Sequence, residues 1–230
     1  KVKLRLKGDL TDHLQGNKWS FRIYVQGKDN IFGLRRFSIE HPCTRSFQAQ
    51  PLFFETLRDK GVLTPRYFFV DVTVNGKDIG IMALEEHFSK ELLESQGRYE
   101  SVIIKFDESL FWDEWMAIGQ KGPIFDNYKN ATIDAFGSTK IGKSEKLSKD
   151  YATAVGLLRG FVNGELSGSD VFDTELMGRF LAVSELFGAR HGVSWNNMRF
   201  YFNPVTSRLE PIGFDSYRML LTEELFNILL

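Results

Sequence analysis

Three side chains near the end of the chain are of types that bind hard cations. Asn196 and Asn197 come directly before one strand-like run (198–202), and Asp215 comes directly after the next (209–214). The polar, proline-containing stretch between the runs favours a turn, so the runs form a hairpin whose two ends meet. Amide and carboxylate oxygens are ligands that Mg²⁺ prefers. The sequence therefore predicts a cation site at the open end of this hairpin.

Each of these residues also has a simpler explanation. An Asn-Asn pair before a strand is often a plain turn, and an aspartate after a strand often caps a helix. In that case the Asp215 carboxylate would accept from the backbone N–H of Tyr217 or Arg218. These residues alone leave both interpretations open, and the elements that position them have to decide.

Basic residues line two predicted strands at the start of the chain. Arg5 lies on the polar face of a strictly alternating run (1–8), and Lys18 and Arg22 share the polar face of a second run (18–25). Such rows can bind phosphate, or they can simply protect a sheet from aggregation. The loop between the runs lacks a G-x-G-x-x-G pattern, so the local signal for phosphate binding is weak.

The order of the remaining elements gives these residues a context. A third strand-like run, a helical run that contains Glu55, and two strand-like runs joined by the Asn75-Gly76 hairpin signal come next: 33–41, 47–61, 66–74 and 80–86. The spacing then becomes mainly helical. A short helix, a strand, a loop region and two longer helices are predicted at 86–96, 101–108, 119–142, 144–166 and 170–188.

Composition excludes several classes of protein. The formal net charge of -1 over 230 residues gives no indication of nucleic-acid or anionic-membrane binding. The lone Cys43 excludes an intrachain disulfide and a cysteine-based metal site. No apolar run approaches the ~18 residues that a membrane helix needs. Because the chain starts at Lys1 inside a strand-like pattern, we expect a piece of a longer protein, and we predict no localisation.

This element order is typical of a protein-kinase-like fold. We expect an α+β chain with two lobes: a sheet-rich N-lobe with one helix (1–86) and a mainly helical C-lobe (87–230), whose completeness is left open. Phosphoryl transfer in that fold needs a cation from the sheet, a helix glutamate that orients it, and an amide and an aspartate that hold Mg²⁺.

Four stretches make the resemblance more specific. They are "RLKGDLTDHLQGNKWSFRIYV", "IFGLRRFSIEHP", "VDVTVNGKDIGIMALEEHF" and "NNMRFYFNPVTSRLEPIGFD". In combination they resemble the spore-coat protein H (CotH) kinase-like family, an atypical branch of the protein-kinase fold, over most of the chain. The resemblance implies binding of ATP and Mg²⁺ and phosphorylation of protein Ser/Thr residues.

The resemblance also assigns roles to individual positions. The implied phosphate ligands are Arg5, Lys18 and Arg22, and Glu55 is the implied orienting partner, although for Glu55 alone a plain surface charge on the helix is the better interpretation. The backbone of Leu84, Glu85 and Glu86 becomes the adenine hinge. Asn197 (or Asn196) and Asp215 become the metal ligands.

One departure concerns the catalytic base. Kinase-like loops place an aspartate five residues before the metal-binding asparagine. Here that position holds His191 when counted from Asn196 (196 − 5 = 191) and Gly192 when counted from Asn197 (197 − 5 = 192). A histidine of ordinary pKa, ~6.5, can serve as a base, so His191 is the catalytic candidate, and loss of the base is the alternative.

The sequence thus supports two main hypotheses. The first is a Mg²⁺/ATP-dependent phosphotransferase with a protein or surface-polymer acceptor. The second is a pseudokinase that serves as a binding or assembly scaffold of the cell surface or envelope, and the missing aspartate favours it. A purely structural surface domain is a weaker third hypothesis.

Overall fold

The computed structural model describes residues 1–8, 11–14, 16, 18–118 and 127–216. Part of the predicted loop region (119–126) and the residues after Ser216 lie outside the described residues. The capping alternative for Asp215 falls on that last segment, since Tyr217 and Arg218 are not described.

The first part of the chain is a five-stranded antiparallel sheet with one helix. Its strands are β1 (Val2–Leu6), β2 (Phe21–Val25), β3 (Arg36–Glu40), β4 (Tyr67–Val74) and β5 (Lys77–Glu86), in the order β1-β2-β3-β5-β4. Helix α1 (Ala49–Asp59) connects β3 to β4. The hairpin predicted at Asn75-Gly76 is confirmed, with φ of 51° and 76° at these two residues, as a tight hairpin turn requires.

The register of this sheet places one polar row on a single face. Paired across neighbouring strands are Arg5, Arg22, Ser38, Glu85 and Tyr67. Because side chains alternate along each strand, the apolar residues of β1 project to the opposite face. The face that carries the polar row is therefore the one that borders the cavity described below.

Helix α1 joins this sheet to the rest of the molecule. Its buried side chains Phe53, Phe54 and Leu57 pack against β4 and β5 on one side and against a later helix on the other. Pro51 lies in the first turn, where its missing N–H costs little. Helix α1 therefore packs between the first sheet and that later helix.

The second part contains helices and a second antiparallel sheet. The helices are α2 (Lys90–Ser95), α3 (Ser109–Ala117), α4 (Ser138–Ile141), α5 (Glu145–Val162), α6 (Gly168–Val171) and α7 (Thr174–Leu186). The strands are β6 (Ile103–Phe106), β7 (Ile133–Ala135), β8 (Arg199–Asn203) and β9 (Arg208–Ile212), in the order β7-β6-β8-β9. No described helix is long and apolar enough to span a membrane.

Two features of this part differ from the sequence prediction. The stretch predicted as a loop contains β7 and α4, which are too short to give a recognisable period. Helix α3 was not predicted either, because its apolar residues surround the helix and none of them is fully buried. The division into lobes at Glu86 stays a prediction, although β5 ends at that residue.

The hairpin predicted before Asp215 is confirmed. Strands β8 and β9 pair from Arg199 opposite Ile212 to Asn203 opposite Arg208. One face of the hairpin packs on α5 through Phe200, Phe202 and Leu209 in the largest hydrophobic cluster. This packing fixes the two ends of the hairpin, and with them the residues on either side.

Candidate functional site

A cavity of about 790 Å³ lies between the two sheets. The first sheet, helix α3, the loop before β8 and the residues after β9 all contribute to its lining. Its charged lining residues are mainly basic: Arg5, Lys7, Arg22, Arg45, Lys105 and Arg199 against Glu85, Glu86, Glu108 and Asp215. The cavity therefore favours an anionic ligand.

Lys7 is held at the cavity wall by two buried glutamates. Its Nζ donates to Oε2 of Glu40 at 2.8 Å and to Oε2 of Glu85 at 2.5 Å. Burial alone would lower the pKa of Lys7, but the two carboxylates outweigh it and raise the pKa above its usual value. Lys7 therefore stays charged. The sequence places it in the same basic row as Arg5 but assigns it no individual role.

Arg45 continues this network towards the end of the hairpin. Its Nη1 lies 3.2 Å from Oδ1 of Asp215, and its Nε lies 3.9 Å from Oε1 of Glu40. Burial opposes the charge on Arg45, but Asp215 and Glu40 outweigh it, so its pKa is raised. Ion pairs through Lys7, Glu40 and Arg45 thus connect Glu85, on strand β5 of the first sheet, to Asp215.

The loop before β8 brings His191 against both predicted metal ligands. Nε2 of His191 lies 3.0 Å from Nδ2 of Asn197 and 3.5 Å from Oδ2 of Asp215. Nδ2 of Asn197 also donates to the carbonyl oxygen of His191 at 3.2 Å. Asn197 and Asp215 therefore lie against the same ring nitrogen, and a cation shared by their oxygens stays a prediction.

Asn196 lines the same cavity but makes contacts within its own loop. Its Oδ1 accepts from the Ser194 hydroxyl at 2.9 Å, and its backbone carbonyl accepts from Nη1 of Arg199 at 2.8 Å. The side-chain nitrogen of Asn197 is bound to His191, which leaves the side-chain oxygen of Asn197 for a cation. The side-chain oxygen of Asn196, in contrast, already accepts from Ser194. Of the two asparagines left open by the sequence, the geometry favours Asn197.

Two predicted phosphate-side residues do not lie at the cavity. Lys18 is not among the lining residues, and its Nζ donates to the carbonyl oxygen of Ile81. Glu55 pairs with Arg58 on the same helix, and its side chain is 64% exposed. The buried face of α1 carries Phe54 and Leu57, so Glu55 cannot orient a cation of the sheet. Arg5 and Arg22 do line the cavity, as expected.

The predicted adenine hinge is only partly in place. Glu85 and Glu86 line the cavity, but both belong to β5, which pairs with β3 and β4. The Glu86 N–H donates to the carbonyl of Arg66 at 2.9 Å, and its carboxylate binds the Arg66 guanidinium. The backbone N–H of Glu86 is therefore already hydrogen bonded, and that of His87 also donates, to the carbonyl oxygen of Arg36 at 3.2 Å.

Arg199 and helix α3 form the far wall of the cavity. Arg199 is buried, its guanidinium lies 5.3 Å from the Phe214 ring centroid, and its Nη2 lies 3.6 Å from Glu108. Burial lowers the pKa of Arg199 to about 10, against the opposing effect of Glu108 and Asp215. Helix α3 adds the rings of Phe111, Trp112 and Trp115. The sequence analysis identified neither feature.

Comparison with known families agrees with this geometry. A family model described as CotH kinase protein matches residues 4–218. The chain belongs to the CotH kinase family. The match extends over the four stretches that carried the resemblance, and the mixed α+β architecture with antiparallel sheets fits a kinase-like family. A search of curated proteins found no match.

The cavity of this CotH kinase family member has unsatisfied polar atoms that fit an anionic ligand. Five lining residues have a buried polar side-chain atom without a hydrogen-bond partner among the described residues: Nε of Arg22, Arg45 and Arg199, Nε1 of Trp115 and Oε1 of Glu85. Buried polar groups are normally hydrogen bonded. Four of these five atoms are donors, which phosphate oxygens would satisfy.

The donor set at the hairpin also fits Mg²⁺. Asn197 and Asp215 offer one amide oxygen and one carboxylate, and both residues are buried. Within the part of the chain that the structure describes, no three His, Cys, Asp or Glu residues form a metal-binding group. Mg²⁺ uses one or two carboxylates together with waters and substrate phosphates, so it does not need such a group.

A second cavity of about 420 Å³ adjoins the first one. The two share Phe88 and Phe136 in their linings. The second cavity is bordered by the chain after β5 and by the end of β2, and its lining mixes apolar residues such as Val102 and Ile103 with charged ones such as Arg36 and Lys90. Two adjoining cavities with aromatic rings at their junction can hold an extended ligand with an anionic end and an aromatic end.

Gly192 lets the loop approach the end of the hairpin. A Cβ atom at this position would lie 2.3 Å from the backbone oxygen of Phe214 and 3.0 Å from that of Asp215. We therefore expect Gly192→Ala to lower the free energy of unfolding by about 1–3 kcal/mol and to displace Asn197 from Asp215. Chemical denaturation and a metal-dependent nucleotide binding assay measure the two effects.

Gly178→Ala is the matched control for this substitution. Gly178 lies in α7, and a Cβ atom added there would meet no atom of the described residues within 4 Å, so alanine only improves helix propensity. We expect this control to keep or raise the stability. If Gly192→Ala is as stable as Gly178→Ala, the close approach of the loop to Phe214 is wrong.

Proposed function

We propose that this CotH kinase family member is a Mg²⁺/ATP-dependent phosphotransferase with a protein or surface-polymer acceptor. The observation that carries the proposal is the ion-pair network across one cavity. It connects a lysine of the first sheet, Lys7, to the aspartate after the hairpin, Asp215. Phosphoryl transfer requires such positioned charges rather than covalent chemistry by the protein.

On the phosphate side, Lys7 takes the role that the sequence analysis gave to Lys18. Glu40 and Glu85 hold Lys7 in one position and keep it charged. Arg5 and Arg22 are opposite each other on β1 and β2 and add positive charge to the same wall. In a partly buried site, each such charge stabilises an anionic phosphate far more than it does in bulk water.

On the metal side, Asn197 and Asp215 are the proposed ligands. When bound, Mg²⁺ neutralises charge on the phosphate oxygens. His191 orients Asn197 through the Nδ2 contact, which leaves the amide oxygen for the metal. The chain thus provides a small part of the coordination shell, and water and phosphate oxygens provide the rest.

The nucleobase would bind in the second cavity. Phe88 and Phe136 lie at the junction of the two cavities, so a base can stack beside them while the phosphates reach Lys7. The segment after β5 replaces the predicted Leu84–Glu86 hinge in this arrangement. The acceptor hydroxyl would enter from the side of α3 and the loop before β8.

His191 stays the candidate for the catalytic base. Its Nε2 is in contact with the Asn197 amide nitrogen at 3.0 Å. This ring nitrogen can therefore accept a proton from an acceptor hydroxyl only after the contact opens. Because positioning and charge stabilisation dominate phosphoryl transfer, slow transfer without a strong base is the expected behaviour.

Two observations favour a second function, a pseudokinase that acts as a binding or assembly scaffold. The position expected for the catalytic aspartate holds Gly192 when counted from Asn197, and the Asp215 carboxylate is already paired with Arg45. A scaffold of this type, with or without a bound nucleotide, would transfer no phosphate. Phosphate transfer therefore separates the two functions.

Transfer of labelled γ-phosphate tests the proposal. The native chain is incubated with γ-labelled ATP, with Mg²⁺ or with a chelator, and label on the chain itself and on added Ser/Thr-rich polypeptides is quantified. We expect slow Mg²⁺-dependent labelling that Asp215→Ala abolishes. Nucleotide binding without labelling favours a nucleotide-binding scaffold, and the absence of both contradicts the phosphotransferase and leaves a nucleotide-free scaffold.

A further inference from the structure

The segment from the turn after β3 to the first turn of α1 contacts Asp215 and the residue that follows it. Arg45 pairs with Asp215, and Gln50 in α1 accepts hydrogen bonds from the backbone N–H of Ser216 at 2.9 Å and from its hydroxyl at 2.5 Å. Both contacts come from one short stretch, residues 45–50. Asp215 itself has a left-handed φ of 50°. This stretch therefore helps to fix the residue that the proposed metal would need.

Arg45 is itself fixed by its surroundings. It ends a short 3-10 turn (Pro42–Arg45) whose first N–H groups are capped by His41. The two residues that follow, Ser46 and Phe47, have left-handed φ angles of 54° and 53°. Consecutive non-glycine residues in this region are strained, and they persist only where the surrounding structure demands them. The strained turn holds the guanidinium beside Asp215.

The charges around Asp215 disfavour the binding of a metal ion in the absence of a nucleotide. Arg45 has a side-chain exposure of 12% and lies 3.2 Å from the carboxylate oxygen. Glu40, the other acid near Arg45, is already bound to Lys7. A divalent cation at Asp215 therefore meets a buried positive charge at close range, and repulsion in a partly buried site is strong.

We propose that the positive charge of Arg45 takes the place of a metal ion beside Asp215 while no nucleotide is bound. The affinity of the site for a metal ion therefore depends on the nucleotide. The inference rests on the proposed function, because it takes Asp215 as a metal ligand. Without nucleotide, Arg45 neutralises Asp215 and keeps the affinity for a bare metal ion low. Phosphate groups that enter the cavity supply a new partner for Arg45, and the Asp215 carboxylate becomes available to the metal.

This role distinguishes Arg45 from the other cations of the cavity. Loss of Lys7 or Arg22 would weaken the binding of phosphates and leave bare-metal binding low. Loss of Arg45 is expected to change the two affinities in opposite directions: ATP without metal binds more weakly, and a metal ion without nucleotide binds more tightly. Loss of an arginine with a purely structural role would not increase the affinity of the protein for a metal ion.

The test measures Mn²⁺ binding in solution by electron paramagnetic resonance. The native chain, Arg45→Gln and Arg45→Lys are titrated with Mn²⁺ alone, and folding is verified by thermal unfolding. We expect Arg45→Gln to bind Mn²⁺ about tenfold more tightly than the native chain, because one nearby positive charge is removed. Arg45→Lys keeps the charge and should keep the low affinity. The double variant Arg45→Gln/Asp215→Asn should lose the gain.

The outcomes separate this inference from the proposed function. Unchanged Mn²⁺ affinity in folded Arg45→Gln, together with intact ATP-dependent metal binding in the native chain, overturns the role of Arg45 alone. Saturation of the native chain by Mn²⁺ alone, at concentrations about equal to those needed with ATP, overturns it even if Arg45→Gln does not fold. Absence of metal binding in every condition overturns both this inference and the proposed metal site.

Discussion

Replacement of Lys7 by methionine is expected to lower the free energy of unfolding by roughly 3–5 kcal/mol, the usual cost of removing one partner from a buried ion pair. The substitution leaves Glu40 and Glu85 in the protein interior without their shared cation. ATP affinity should fall at least about tenfold, since one direct phosphate charge is lost. Chemical denaturation and calorimetric titration with ATP measure the two effects.

Lys18→Met is the informative control for this prediction. Lys18 lies on the same sheet, but its Nζ contacts only a partly exposed backbone carbonyl, that of Ile81, among the contacts found in the described residues. A surface substitution of this kind changes the free energy of unfolding by no more than about 0.5 kcal/mol. A larger loss of ATP affinity in Lys18→Met than in Lys7→Met would restore the role that the sequence first gave to Lys18.

The second large effect is expected at Asp215. Asp215→Ala should abolish the Mg²⁺-dependent part of nucleotide binding, because the carboxylate ligand is removed. It should also destabilise the nucleotide-free protein, since Arg45 loses its nearest carboxylate. Thermal unfolding with ATP, recorded with and without Mg²⁺, separates the two consequences, because only the first depends on the metal.

Asp173→Ala is the matched control for a capping role. Oδ1 of Asp173 accepts from the backbone N–H of Leu176 at 3.0 Å at the start of α7. Its loss should cost about 1 kcal/mol and leave nucleotide binding unchanged. If Asp215→Ala behaves in the same way as Asp173→Ala, the metal role of Asp215 is wrong and the capping interpretation returns.

The parts of the fold that depend on local patterns were predictable. Strand alternation gave β1 and β2, and the Asn75-Gly76 signal gave the β4–β5 hairpin. The hairpin before Asp215 followed from two short runs with a turn between them. In each case neighbouring residues determine the geometry, so the sequence contains the necessary information.

The ion-pair network was not predictable, because it joins residues far apart in the sequence. Lys7 meets Glu40 and Glu85 only after β1, β3 and β5 take their places in one sheet. Alternation placed Lys7 on the same face as Arg5, but it could not indicate which cation would meet a glutamate. Arg45 lies in a non-repetitive turn without any periodic signal.

The assignment of Glu55 was wrong for a reason that the sequence could have shown. The apolar residues Phe53, Phe54 and Leu57 define the buried side of α1, and Glu55 lies away from it. Helical spacing therefore already placed this glutamate towards solvent. The kinase-like pattern suggested a helix glutamate, whereas in this chain strands β3 and β5 supply the partners of the cation.

The most direct test of the account is a calorimetric titration of the native chain with ATP, with Mg²⁺ and with a chelator. The account predicts binding with Mg²⁺ that weakens about tenfold or more when the metal is removed, because the phosphates and Asp215 share the ion. Equal ATP affinity with and without Mg²⁺ would contradict the metal site at Asn197 and Asp215. Absence of any ATP binding would contradict the proposal that the cavity between the two sheets binds a nucleotide.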